Sequence, residues 1–337
     1  MTASARTTLN GRAAHRAGSV VRSGGTVRPG TSPEAGSIAG ESRSQWQLFL
    51  AGFRSHRAAW ISLWVLASMT IACVVLPWFL PWSPTELDYA NLAANGPSAR
   101  HLLGTDQLGR DVLARLLSAG RVSLMIGLVV ALACATTGAV VGVVAGYFGG
   151  RTDEALMWWV NVLLTIPSLP LLIALSSVAA SDSGTASQIF RSVPPAWRII
   201  IVMSVLGWMA ISRVVRSQVV SLRRQEFVEA AIAMGGSHRR VMTVHILPNT
   251  VSVLAVFTTL TVSTAIMTES SLSFLGLGVA PPTATWGNML LEARDVFTAI
   301  QYWWLTWFPA LAILATVLSV NFVGDGIRDA LDPKLRT

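Results

Sequence analysis

Long apolar runs without a charge constrain this chain more than any other feature. Val122 to Phe148 is 27 residues with no Asp, Glu, Lys or Arg. A helix needs about 20 such residues to cross the hydrocarbon core of a bilayer. Comparable runs occupy Ala58 to Trp82, Ala155 to Ala180, Val241 to Thr268 and Val296 to Val323. Only 12% of the chain is charged, about half the ~25% of a soluble domain. In lipid the backbone must satisfy its own hydrogen bonds, so such runs are expected to be helices. A weaker segment, Ile199 to Ser212, lies between Arg198 and Arg213, which can snorkel from its ends to the head groups. The expected fold class is therefore an all-α integral membrane protein with six transmembrane helices, the fourth held in part by its neighbours.

Residues 1–43 are rich in Ser, Gly, Ala, Thr and Arg and have no apolar periodicity, so a disordered tail is expected there. No cleavable signal peptide is expected, because the first apolar run begins only near Ala58. Trp46, Phe49, Leu50 and Phe53 recur at helical spacing before Arg54 and Arg57. Residues 44–57 thus read as an amphipathic helix at the membrane surface, with a helical extension of the first span as the alternative. The membrane domain would then be 58–337. The net charge of +8 comes almost wholly from arginine. These arginines flank apolar runs instead of forming one stripe, so lipid is the expected anionic partner and nucleic acid is not. Cys73 and Cys134 fall inside apolar runs and read as small buried side chains. The histidines show no metal-ligand spacing.

A segment between the fourth and fifth spans, about 213–247, breaks the apolar pattern. It contains Glu226, Glu229-Ala230-Ala231, then Gly235-Gly236, Arg239, and finally Leu247-Pro248. Helix formers run from Leu222 to Met234, the glycine pair stops them, and Ser237 can cap a second helix. The expectation is a helix–turn–helix standing out of the membrane. This pattern resembles the EAA loop of bacterial ATP-binding-cassette import permeases. In that family the loop is a coupling helix that docks into a cleft on the ATPase. The resemblance assigns close approach to Ala230 and Ala231, the turn to Gly235, and a charged contact to Glu229.

Other segments extend the likeness. Gly104-Thr105-Asp106 and Gly109-Arg110-Asp111 precede the second span, and Leu275-Gly276-Leu277-Gly278 follows the fifth. Pro281-Pro282 and Trp286-Gly287 come next, with Asn321, Gly324-Asp325-Gly326, Arg328-Asp329 and Asp332-Pro333 near the end. From about residue 44 onward the chain resembles the C-type permeases of oligopeptide, dipeptide and nickel importers. Departures are His245 in place of an aliphatic residue, and Ser118-Ala119-Gly120-Arg121 in place of Tyr-Gly-Ala-Arg. Trp158 and Asn161 stand where the family has an arginine and an aspartate. The 104–111 loop reads either as a loop ordered by its own Asp and Arg pairs or as part of an outer vestibule for a binding protein. Glu269 and Asp295 read as solvated span ends, and Trp303, Trp304 and Trp307 as an interfacial belt.

The resemblance implies a type I importer permease fold and a non-catalytic subunit, with no cofactor in this chain. ATP and Mg would be bound by two ATPase subunits or domains. A second homologous permease of the B type would complete the pathway, and an extracytoplasmic substrate-binding protein would deliver the solute. Short peptides are the expected substrate, with nickel, glutathione or another small solute as alternatives. No Walker-type Gly-rich loop is present to bind nucleotide here. A stand-alone secondary transporter or channel is disfavoured by the absence of mid-span charges. A membrane enzyme would need a nucleophile–base pair or metal ligands inside the bundle, and neither is found.

Orientation follows from the basic residues. With the N-terminus in the cytoplasm of a bacterial inner membrane, 18 of the 25 Lys and Arg lie on the inner side. Both termini and Gly235 should then be cytoplasmic, with Asp106 and Asp182 outside. Single cysteines at these sites, in a background lacking Cys73 and Cys134, should react with an impermeant thiol reagent only at 106 and 182 in intact cells. Labelling at 235 would reverse the topology.

Overall fold

The computed structural model describes residues 45–89, 92–180 and 192–331, so the calls on the N-terminal tail, Asp182 and Asp332-Pro333 lie outside the described residues. Described side chains begin at Phe49. Among the described residues the regular structure is helical, and the only strand-like feature is an isolated bridge between Thr105 and Asp111.

Helix α1 (Gln45–Ser55) is followed after His56 by α2 (Arg57–Val75), which tightens into a 3₁₀ turn at Leu76–Trp78. Pro77 ends the first span earlier than its hydropathy does, since a proline offers no N–H to continue the helix. A loop then leads into α3 (Val112–Phe148), α4 (Gly150–Thr165), α5 (Ser168–Ala180) and α6 (Pro195–Leu222). The short α7 (Glu226–Ala233) precedes α8 (His238–Phe274). Helices α9 (Trp286–Glu292), α10 (Val296–Gln301) and α11 (Trp303–Leu331) complete the chain.

Five helices are long and apolar enough to cross a membrane, and the α4–α5 pair makes a sixth passage if it counts as one span. That pair departs from the sequence reading of Ala155 to Ala180 as one helix. It bends by 88°. The cause is local: Pro167 and Pro170 both lack an N–H, so the ladder cannot run through Ile166. The final span likewise starts at Trp303 and not at Val296, because α10 is a separate helix capped by Asp295, whose carboxylate accepts from Thr298 N at 3.1 Å. The fourth span is not marginal. α6 runs 28 residues, well past Arg213.

Its partner explains why. α3 and α6 form the most extensive helix pairing of the described chain. Gly138, Gly142 and Gly146 make a stripe at every fourth residue of α3. Ile211, Val215 and Val219 of α6 fill it at the same spacing. A Cβ on these glycines would lie 2.7–2.8 Å from α6 atoms. Gly207 of α6 returns the favour to Cys134. Small residues at such spacing let two helix backbones come close in lipid, where packing replaces the hydrophobic drive. The pairs advance in the same direction along both helices, so α3 and α6 are parallel. The intervening α4–α5 segment must therefore carry the chain back across, as a single return passage.

Two further close approaches fix the rest. Gly127 of α3 meets Ile266 of α8, and Gly324 of α11 meets Thr259 of α8. Helix α1 packs Phe53 among Ala59, Val323 and Ala330 at the last turns of α11, and Gly52 abuts the Ala330 backbone. Cys73 and Cys134 are free and buried.

Gly142→Leu should drive a side chain into the α6 backbone. Overpacking of this kind costs about 1–3 kcal/mol. The variant should lose most of its monodisperse yield after detergent extraction, while Gly150→Leu, which meets nothing within 4 Å, should keep far more of it. Equal yields would show that the glycine stripe does not set the α3–α6 distance.

Candidate functional site

The two sequence-singled segments sit at opposite ends of α3. With 37 residues at 1.5 Å each, that helix separates them by roughly 55 Å.

At its C-terminal end stands the α7 hairpin. Helix α7 stops in a Schellman arrangement. Gly235 takes φ +79°, its N–H reaches Ile232 O at 2.9 Å, and Gly236 N–H reaches Ala231 O at 3.0 Å. A side chain at 235 meets open space but pays for the left-handed backbone; one at 236 would strike the Ala231 carbonyl at 2.7 Å. Ser237 then caps the next helix, accepting from Arg240 N. Here the arrangement differs from a self-contained helix–turn–helix. The second helix is the start of α8 itself, continuous through a π-helical stretch at Val241–Ile246. That wider turn precedes Pro248, whose ring would crowd a regular α-turn. Leu247 and Pro248 thus lie inside a helix instead of marking a chain break.

The inner face of α7 carries Val228 and Ala231, both buried against the core that includes Val241 and Ile246. Ala231 therefore faces inward, and only Ala230 of the alanine pair is on the surface, beside exposed Glu226 and Glu229. Arg239 is exposed as well. The outward surface also shows Phe227, Ile232 and Met234, the last 82% exposed. Sequence reasoning had passed over these three; the signal was available as apolar residues out of phase with the Val228–Ala231 face. The hairpin is tied to α3 by Tyr147, whose hydroxyl is 2.8 Å from His238 Nδ1, with Arg223 over the Tyr147 ring. Nearby, Arg216 of α6 makes a two-pronged bond to Asp153 of α4, both contacts at 2.5 Å.

At the N-terminal end of α3 the 104–111 loop forms a buried ionic knot. Gly104 (φ +82°) and Gly109 (φ +77°) turn the chain, and a Cβ on Gly104 would fall 2.5 Å from the Asn95 carbonyl. Asp106, 2% exposed, accepts from Leu108 N and Arg110 N at 2.9 Å and from Arg110 Nε at 2.7 Å. It also pairs with Arg115 of α3. Glu292 of α9 closes the knot, accepting from Arg110 at 3.0 Å and Arg115 at 2.6 Å. Asp111 caps α3 through Ala114 N at 2.7 Å, and its other oxygen meets His101 at 2.9 Å. Thr105 donates to Ala93 O, and Trp304 Nε1 donates to Thr105 O at 3.1 Å. Trp304 is thus a buried strut, unlike exposed Trp303 and Trp307. Its hydrogen bond to the loop explains why the belt reading fails for it. Arg115 and Glu292 were missed in the sequence. Arg115 carried a signal, as a charge inside the opening turns of an apolar helix. Asp106 is too buried to serve as a labelling site; Leu108, 54% exposed, is the better reporter of this end.

Glu269 also departs from its reading as a solvated terminus. It is fully buried. Ser273 donates to it at 2.7 Å and Ser123 at 3.4 Å, and Ser123 in turn accepts from the Trp286 backbone at 3.2 Å. The helix continues five residues past it to Phe274, which places the carboxyl inside the packed end of the bundle. Among the described residues no group of His, Cys, Asp and Glu is arranged to hold a metal ion.

Helices of this length and surface, packed through glycine stripes, define a polytopic all-α membrane protein. Residues 138–337 match the binding-protein-dependent transport system inner membrane component family, and residues 44–97 match the N-terminal transmembrane domain of oligopeptide transport permease C. The oligopeptide transport system permease protein OppC of Bacillus subtilis is 38% identical over 304 residues, covering 90% of this chain and 94% of that one. The protein of the same name from Mycobacterium tuberculosis is 38% identical over 297 residues, 88% of this chain and 97% of its own length. The chain belongs to the binding-protein-dependent inner membrane permease family, and its fold is that of the type I ATP-binding-cassette importer permeases. It is a transport permease component.

Because Asp106 is the hub of the knot, Asp106→Asn should leave Arg115 without its buried counter-charge. Removing one partner of a buried pair costs about 3–5 kcal/mol. Glu292→Gln, at a more open carboxylate, should cost less. Thermal unfolding of the detergent-solubilised protein should show the larger Tm loss for Asp106→Asn. A loss at least as large for Glu292→Gln would move the hub to α9.

Proposed function

We propose that this chain is one half of the translocation pathway of an ATP-driven importer of short peptides. The observation that carries the reading is the α7 hairpin. Its inner face is sealed by Val228 and Ala231, while Phe227, Ile232 and Met234 stand exposed between Glu226 and Glu229. Apolar side chains held out on a rigid, capped helix call for a partner surface. A cleft on an ATPase subunit with basic groups beside an apolar floor matches that surface. In this reading ATP and Mg are held by two ATPase subunits or domains, and this chain has no cofactor or catalytic role of its own. A second, B-type permease covers the remaining wall of the pathway.

Peptide as the substrate class rests on the oligopeptide permeases it resembles. An extracytoplasmic binding protein would meet the opposite end, where the 104–111 knot presents a firm surface. The arginine asymmetry places both termini and the hairpin in the cytoplasm of a bacterial inner membrane. Residues 1–43 form a tail and 44–57 an interfacial helix. The rest is the membrane domain, its coupling loop at about 213–247. Function is alternating access: ATP binding closes the motor, α7 moves with it, and α8 and α3 transmit the motion through the π-helical stretch and the Tyr147–His238 bond.

The test is a pair of variants in the purified complex. Gly235→Trp forces a bulky residue into a left-handed backbone, at about 1–3 kcal/mol. Glu229→Lys reverses a surface charge and leaves the turn alone. Both should insert and assemble, since neither lies in a span. Both should lose binding-protein-stimulated ATP hydrolysis and peptide uptake together in liposomes. Normal assembly with normal stimulated hydrolysis in Gly235→Trp would mean that α7 is not the coupling element.

A further inference from the structure

The break between α4 and α5 places irregular backbone where the sequence shows no charge to explain it. Helix α4 is 16 residues long, so it rises about 24 Å before it breaks, short of the roughly 30 Å hydrocarbon thickness. The break therefore falls at membrane depth. Pro170 has no N–H to offer the Ile166 carbonyl, and Pro167 none to offer Leu163, whose oxygen accepts from Ile166 at 3.3 Å in a tighter turn. Bilayer lipid cannot satisfy a freed carbonyl. Non-helical backbone at this depth is tolerated where it is buried in protein or lines a water-filled cavity. Here Ile166 and Leu164 are about two-fifths exposed, which leaves the cavity.

A cavity does adjoin the break. It has a volume of about 380 Å³ and is bounded by Leu164 and Ser168 at the elbow, Met203 on α6, and Phe257, Thr261 and Thr264 on α8. That size lies within the roughly 300–1,000 Å³ of small-molecule clefts. None of its lining residues is charged. Thr261 and Thr264 donate to their own helix, to Phe257 O at 2.7 Å and Leu260 O at 2.9 Å. Each hydroxyl keeps acceptor capacity. The cavity thus combines an apolar floor with acceptor oxygens and no ionic group. A charged side chain would lose its hydration here without a partner. An apolar side chain gains burial, and the amide N–H groups flanking it find acceptors.

We propose that the α4–α5 elbow and this cavity form a subsite on the translocation path that receives an uncharged, apolar side chain of a peptide in transit. The inference rests on the peptide reading above and adds to it where in this chain the substrate is touched. The subsite acts by shape, so filling it should discriminate between peptides.

The experiment uses the whole reconstituted complex with its binding protein and ATP, and compares uptake of the tripeptides Ala-Phe-Ala and Ala-Ala-Ala. Thr264→Trp fills the cavity. It should slow uptake of the phenylalanine peptide about tenfold, the size of effect a filled apolar pocket produces, and leave the alanine peptide within about twofold. Should the variant fail to assemble, Thr264→Cys in a background with Cys73 and Cys134 changed to alanine, modified by N-benzylmaleimide after assembly, supplies the same obstruction on a folded complex. Equal slowing of both peptides, or no slowing of either, would overturn the subsite while leaving the peptide reading in place. Failure of the unsubstituted complex to import either peptide would overturn both.

Discussion

The close approach of α3 and α6 is the constraint on which the other helices depend. In lipid, two apolar helices gain nothing from hiding from their surroundings, so their association rests on how near the backbones can come. Gly138, Gly142 and Gly146 remove the side chains that would keep α6 away, and Ile211, Val215 and Val219 occupy the space. The result is a parallel pair that forces the chain between them to return across the membrane. Helix α8 then fits against α3 at Gly127, and α11 fits against α8 at Gly324.

A long helix held this firmly can link events at its two ends. At one end, Tyr147 grips His238 at the root of α8, next to the capped turn of α7. At the other, the α3 cap Asp111 and the buried Arg115 join the knot of Asp106, Arg110 and Glu292. Ion pairs this deeply placed do little for net stability compared with apolar packing, but a missing partner is costly. They hold the loop, α3 and α9 in one arrangement. Glu269 adds a second polar centre nearby, satisfied by hydroxyls of Ser123 and Ser273 instead of by a cation.

The weakest part of the membrane ladder is the elbow at Ile166–Pro167. Everything else at that depth is closed helix. A break is costly unless something polar comes to it, which is why the cavity beside Thr261 and Thr264 is the natural place for a substrate to touch this chain. The rigid α3–α6 pair and the broken α4–α5 return passage are thus complementary, one holding shape and the other leaving backbone open.

The sequence by itself determined that this chain crosses a membrane as helices, because charge-free runs of such length have no other stable form in lipid. It also determined the family, through the ordered motifs around Glu229, Gly235 and Gly104 to Asp111, and the turn at Gly235, because a helix stop before a positive φ selects glycine locally. The glycine stripe of α3 was legible too, as a four-residue period, but its partner was not. Which residues meet across 70 to 180 positions depends on how helices pack, and local pattern carries no such information. Only the tertiary structure turned Ala231 inward, buried Glu269 and Trp304, brought Glu292 to Arg115, and opened a cavity at the elbow. Each of these is set by the neighbour a side chain finds, and that neighbour is fixed by the backbone distances the glycines allow.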